Sequence, residues 1–298
     1  MNKEKRTPIF VLVAAILWGT TGTAQSFAPE LAHPIAIGAA RLAIGGFSLM
    51  AVVLLTKGMT FKNWPVKQTI LAAVCMACYQ PLFFSSVKVT GVAIGTVIAI
   101  GSAPILSGAI EWAFAKRMPS KKWWGATLLS IAGCILLFLN DGSIQVDPLG
   151  VLLALGAGLS FASYTFISAE LGKQQSSLVV VAVVFSLSAI ILSPFLVIYD
   201  MSWIVKPDGV LVSLHLGLIT TSLAYYLFAK GLLRVPSSTA VTLSLAEPLT
   251  AAMLGIFLLN ESMNIVSWVG LFLLIFGIVF LILPMKKIDH TKIKTVNV

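Results

Sequence analysis

The sequence predicts an all-α polytopic membrane protein, with ten transmembrane helices in two inverted-topology five-helix repeats. Three observations predict it. The 298 residues are 58 % hydrophobic and 10 % charged, with a mean hydropathy of +0.98; an ordinary soluble domain has about 25 % charged residues. Ten apolar runs of helix length follow one another, and about 20 residues at 1.5 Å each cross a ~30 Å hydrocarbon core. Lysine and arginine alternate between the loops, with seventeen of the 20 on one side, as expected of cytoplasmic loops. Continuous apolar runs also exclude an outer-membrane barrel, whose strands alternate.

In order, the predicted spans are Ile9–Phe27, Ile35–Leu55, Thr69–Val87, Val92–Phe114 and Lys122–Leu139. The second five are Leu149–Ala169, Leu178–Tyr199, Val210–Ala229, Ser237–Leu259 and Ser267–Leu283. The run Met1–Arg6 resembles the basic start of a signal peptide, but no small-residue cleavage site leads into a polar domain. The first span is therefore read as retained. One side of the membrane receives Lys3, Lys5, Arg6, Lys57, Lys62, Lys67, Lys116, Arg117, Lys121 and Lys122. Lys173, Lys230, Arg234, Lys286, Lys287, Lys292 and Lys294 join them, whereas the other side has Lys88 and Lys206. Both termini are expected in the cytoplasm, with the chain multi-pass in the inner (plasma) membrane. One span more or fewer would move every later loop across the bilayer and destroy the bias. The net charge of +9 follows from this topology and calls for no nucleic-acid partner.

The two halves resemble each other. Pro104 and Pro248 stand 144 residues apart, as do Trp124 and Trp268. Ser102-Ala103-Pro104 answers Ala246-Glu247-Pro248, and Leu17-Trp18-Gly19 answers Ser160-Phe161-Ala162. Five spans is an odd number, so the second half enters from the opposite side. The expected division is a first repeat over residues 1–145, an inverted repeat over 146–285 and a basic tail over 286–298. Such repeats are typical of secondary transporters with a central site at the repeat interface.

Glu247 and Pro248 lie near the middle of the ninth span. A carboxylate at that depth costs roughly 2.5–3.5 kcal/mol, and the proline removes a backbone donor. The pair marks either a kink with its charge paired to another helix or the wall of a solute or ion pathway; the pathway is the reading adopted. Arg41, about two turns inside the second span, needs a carboxylate, a carbonyl or water. It either pairs with Glu247 or faces the outer vestibule and receives a substrate carboxylate. Glu111 is accounted for by pairing with Lys116 and Arg117.

His215 is a hydrogen-bonded structural group or a proton relay. Tyr79 and Gln80, Tyr225 and Tyr226, and Trp18 beside Thr20 and Thr21 offer rings and polar groups to a small organic solute. Packing between helices is the alternative. Pro104 and Pro248 are the expected kinks, and Gly91-Val-Ala-Ile-Gly95 reads as a helix-contact motif. Cys75, Cys78 and Cys134 fall inside spans and read as free thiols; neither metal nor cofactor is expected. The sequence lacks H-E-x-x-H, G-x-S-x-G and Walker A patterns, which argues against an intramembrane protease, a hydrolase and an ATP-driven pump.

These residues together resemble the drug/metabolite transporter superfamily, specifically its ten-span type with two EamA-like halves. The resemblance spans about Ile9 to Leu283. It rests on Leu17-Trp18-Gly19, Arg41-Leu42-Ala43, the Pro104 region and Leu153-Ala-Leu-Gly-Ala-Gly-Leu-Ser-Phe-Ala-Ser-Tyr164. It ends on Ser244-Leu-Ala-Glu247-Pro248 and Leu258-Leu-Asn-Glu261. It implies an inner-membrane carrier of small organic solutes, often an exporter of amino acids or related metabolites. The second span and the Glu-Pro region are similar to threonine/homoserine-type exporters. The chain departs from that pattern where Ala103-Pro104 answers Glu247-Pro248, leaving Glu247 as the sole mid-membrane acid.

The expectation is thus alternating-access secondary transport of amino-acid-like or amine solutes, with export as the direction and protons as candidate coupling ions. The site would lie near Trp18, Arg41, Tyr79 and Glu247. Uptake and uncoupled facilitation are the alternatives within transport; a membrane sensor, a structural protein or an intramembrane enzyme are those outside it. Monomer and homodimer both remain open.

Overall fold

The computed structural model describes residues 7–56, 64–138, 147–259 and 262–283. Lys3, Lys5, Arg6, Lys57, Lys62, Asn260, Glu261 and the tail 286–298 lie outside the described residues. The first five helices are α1 (Thr7–Ser26), α2 (Pro34–Leu55), α3 (Val66–Thr90), α4 (Val92–Ala115) and α5 (Lys121–Phe138). The second five are α6 (Pro148–Leu171), α7 (Ser177–Ile198), α8 (Pro207–Leu232), α9 (Ser237–Leu259) and α10 (Ile265–Ile282). Nine of them, among the described residues, are long and apolar enough to cross a bilayer. The tenth, α5, opens on Lys121-Lys122, which lowers its mean hydropathy.

Polar residues at the helix starts explain several boundaries. Asp147 Oδ1 accepts from the Leu149 and Gly150 amides, Ser176 Oγ from Val179 and Asn264 Oδ1 from Ser267. Each satisfies amides that a helix start leaves without partners. Pro34, Pro148 and Pro207 begin their helices, where a missing N–H costs nothing.

The packing follows a pseudo-two-fold rule. α2 packs on α7 and α5 on α10, each helix against its own counterpart. Likewise α3 and α4 both pack on α6, and α8 and α9 both pack on α1. Small residues permit the close seams. A methyl group on Gly133 of α5 would stand 2.5 Å from the Leu274 amide nitrogen and 2.7 Å from the Gly270 carbonyl of α10. Without a hydrophobic drive between helices in lipid, such backbone approach is a main source of cohesion. Leu55, Val197 and Phe276 point outward from the bundle, as a lipid-facing surface requires.

Two expectations need correction. Gly91 is not a helix-contact residue: it joins α3 to α4 with φ of 85°, and a side chain there would meet no neighbour. Its partner Gly95 does lie against the Val87 backbone of α3. Pro248 also does not kink a continuous ninth helix. α9 is broken one turn earlier, into Ser237–Leu243 and Ala246–Leu259, so Pro248 occupies the first turn of the second piece. The Ser244 carbonyl that the proline leaves without a partner accepts the Glu247 amide at 2.9 Å. Pro104, by contrast, lies inside an unbroken α4.

Candidate functional site

A cavity of about 50 Å³ lies between the repeats, lined by Trp18, Arg41, Tyr79, Phe161, Tyr225 and Glu247 among others. It has room for a few water molecules. Five of the seven binding or coupling residues expected from sequence meet there: Trp18, Arg41, Tyr79, Tyr225 and Glu247. Glycine at position 19 lets α1 reach the break in α9, since a methyl group there would stand 2.7 Å from the Glu247 carbonyl. Trp18, one residue earlier, is thereby held in the wall, with ring centroids 4.6 Å from Tyr225 and 5.9 Å from Phe161. Tyr79 closes the ring at 5.8 Å from Phe161.

Arg41 is buried, and its Nε–H donates to Thr221 Oγ1 at 3.1 Å. The backbone of α8 makes this contact possible. Between His215 and Leu223 the helix widens to π geometry, with Thr221 Oγ1 donating to Leu216 O and Ser222 Oγ to Gly217 O, both five residues back. Such widened turns concentrate at functional sites. Gly45, one turn beyond Arg41, lets α8 come close: a methyl group there would lie 2.8 Å from the Gly217 carbonyl. Ser222 Oγ also donates to the Gly45 carbonyl at 3.0 Å, tying the two helices. Arg41 and Glu247 share the cavity without a direct ion pair; among the described residues only Lys173 and Glu170 make one.

Gln80 and His215 stand apart from this wall. Gln80 is turned toward α2, where its Oε1 crowds Gly38, and its buried Nε2 has no hydrogen-bond partner. Thr20 directs its hydroxyl hydrogen to the Leu17 carbonyl, leaving the oxygen to accept from the His215 ring at 2.8 Å. His215 therefore links α8 to α1. Tyr226 lies under the Lys230 ammonium, 4.8 Å from its ring centroid. Cys75, Cys78 and Cys134 are free.

Sequence reasoning missed Phe161, Ser244, Ile100 and Ala103 as cavity residues. The repeat carried the signal. Ile100 and Ser244 are 144 residues apart, as are Ala103 and Glu247, the spacing of Pro104 and Pro248. Phe161 is the counterpart of Trp18 in the motif comparison. The cavity is walled by equivalent positions of the two halves.

Glu111 needs the second correction of partner. Its buried carboxylate meets α9 rather than Lys116 or Arg117: Oε2 accepts from the Ser238 amide at 3.0 Å and from Ser237 Oγ at 3.3 Å.

An inverted-repeat bundle with an irregular, polar cavity at its axis defines a membrane carrier architecture. The sequence model of the EamA-like transporter family matches residues 5–139 and 148–283, so the chain belongs to that family, within the drug/metabolite transporter superfamily. It is 55 % identical over 270 residues to "Uncharacterized transporter YwfM" of Bacillus subtilis (strain 168), covering 91 % of each chain. It is 27 % identical over 305 residues to the threonine/homoserine exporter RhtA of Escherichia coli (strain K12), covering 98 % of this chain and 96 % of that one. A solved crystal structure shares the fold with a TM-score of 0.81 at 19 % identity, over 92 % of this chain and 95 % of the other. The protein is a multi-pass membrane transporter.

Proposed function

We propose that the protein exports small amino acids or related amines by alternating access, with Glu247 as the coupling carboxylate. The observation that carries this reading is the shared cavity of Arg41 and Glu247 at the repeat interface. A guanidinium and a carboxylate on one small cavity match the two charges of an amino acid in its zwitterionic form. Arg41 would receive the solute carboxylate, pre-oriented by Thr221, and Glu247 its ammonium. Trp18, Tyr79 and Tyr225 would cover the carbon skeleton. Between solutes, Glu247 would take up a proton, so that proton and ammonium compete for one carboxylate.

The cavity holds only a few waters, so loading a solute requires the repeats, 1–145 and 146–285, to rock apart. The relatives named threonine/homoserine exporters favour that solute class and the outward direction. The end of the bundle carrying Lys116, Arg117, Lys173 and Arg234 would face the cytoplasm, as would both termini, in the inner (plasma) membrane. Translocation alone is the reaction; no bond is made or broken.

Transport in proteoliposomes tests this, with labelled threonine, homoserine, amines and nucleosides, with and without an imposed pH gradient. Uphill threonine or homoserine movement driven by the gradient and lost in Glu247→Gln is expected. Flux in Glu247→Gln at the wild-type rate and pH dependence would refute the coupling role.

A further inference from the structure

A second cavity, of about 540 Å³, opens at the basic end of the bundle, lined by Glu111, Phe114, Arg117, Phe166, Lys173 and Arg234 among others. Its relation to the central cavity is set by two helices. Along α4, Ala103 lines the central cavity and Glu111 lines the basic-end cavity. Along α9, Ser244 lines the central cavity and Ser237 the basic-end one. At 1.5 Å per residue the two cavities are about 10–12 Å apart. They lie end to end, and the α4–α9 contact stands between them.

Two observations mark that contact as a closed path rather than a packed core. Ala103, Ser107 and Glu111 recur every four residues and so share one face of α4. The Ser107 hydroxyl, fully buried between the two cavities, has no hydrogen-bond partner. An apolar residue would fill a permanent core there without stranding a polar group. At the end of the same face, Glu111 Oε2 receives the Ser238 amide and the Ser237 hydroxyl. A charge-assisted contact of this kind is stronger than a neutral one. It can also be released into water, because the carboxylate borders the basic-end cavity.

We infer that Glu111 is the gating residue of the basic-end entrance. It holds α4 to the start of α9 and must let go for a solute to pass from the basic-end cavity along Ser107 to the central one. This rests on the transport reading above; the α4–α9 contact is then the part of the interface that opens toward one side and closes toward the other. The basic-end cavity suits the zwitterion already proposed, since it offers both guanidinium groups and carboxylates.

The test uses full-length protein in proteoliposomes, with Cys75, Cys78 and Cys134 replaced by alanine. In the first arm Glu111→Cys and Ser237→Cys are combined and labelled threonine flux is measured, first reduced, then oxidised to the disulfide, then reduced again. Flux should fall at least tenfold on oxidation and return with reductant. Undiminished flux through the cross-linked protein would overturn the gate, because the contact would never open. The second arm needs no solute: Ser107→Cys is labelled by a membrane-impermeant maleimide, with Glu111 intact or as Glu111→Gln. Labelling should quicken about fivefold with glutamine, which keeps the acceptor oxygen and loses the charge. Equal rates would overturn the gate. If the reduced double-cysteine protein moves no threonine, the transport reading fails or the variant is crippled, and the labelling arm decides the gate alone.

Discussion

The two halves share a frame and differ where the chemistry lies. In the first half, α4 runs unbroken through Pro104, and α3 stays α-helical through Tyr79, Gln80 and Pro81. In the second, α9 breaks at Ser244 and Leu245, and α8 widens between His215 and Leu223. The equivalent of Glu247 is Ala103, and the group that orients Arg41 is Thr221 on the widened turns. Irregular backbone at membrane depth is tolerated where it lines a cavity or is buried in protein. The lesson is that the repeat supplies the cavity and the departures from the repeat supply its polarity.

Moving the carboxylate between halves is the severest test of this asymmetry. A protein with Glu247→Ala and Ala103→Glu keeps the number of acids and the pseudo-symmetric position. Threonine flux in proteoliposomes should nonetheless fall to background, because α4 has no break to expose the group. Wild-type flux would show that the two halves are interchangeable.

Arg41→Lys sharpens the same point more mildly. A lysine keeps the charge but has no Nε–H to place against Thr221 and no fork for a carboxylate. Flux should drop about tenfold, the loss of one good charge-assisted contact, at unchanged expression and thermal stability.

The seams offer a third contrast. Gly133→Ala would force the α5 and α10 backbones apart and should lower stability by about 1–3 kcal/mol, as overpacking does. Gly101→Ala has room, with Ile131 Cγ2 at 3.6 Å as the neighbour of the new methyl group. It should leave stability unchanged or raise it by about 0.4–1 kcal/mol. Thermal denaturation in detergent separates the two.

The smallest effect lies in the loop before α2. His33 stacks on Tyr199 at 3.9 Å, and its Nδ1 accepts the Ile35 amide. Burial first, and then nearby Lys88, lowers its pKa from the ordinary 6.5. A histidine whose folded pKa is depressed favours the folded state above 6.5 and loses that contribution as pH falls toward the folded value. The melting temperature should therefore decline slightly below pH 6.5, and His33→Gln should flatten that slope.

Much of this was legible in the chain. The ten helices follow from runs of apolar residues, because lipid demands length and hydropathy and little else. Trp18, Arg41, Tyr79, Tyr225 and Glu247 stood out because each is costly or unusual at that depth. The break in α9 was misplaced because proline shows where a donor is missing, whereas its effect falls on a carbonyl a turn earlier. The π turns of α8 left no trace, since Thr221 and Ser222 are compatible with either geometry until Gly45 fixes their distance from α2. Glu111 was assigned to its neighbours in sequence, and its partners are 126 and 127 residues away. Only the third dimension could supply them.

The widened turns of α8 set the register of everything beyond them. A regular helix turns 100° per residue, so deleting one residue between His215 and Leu223 would swing the rest of α8 by about that angle. Tyr225 would leave the wall, and Tyr226, now under Lys230, would rotate toward its place. A single codon lost from this stretch would exchange one pocket for another while every loop kept its length.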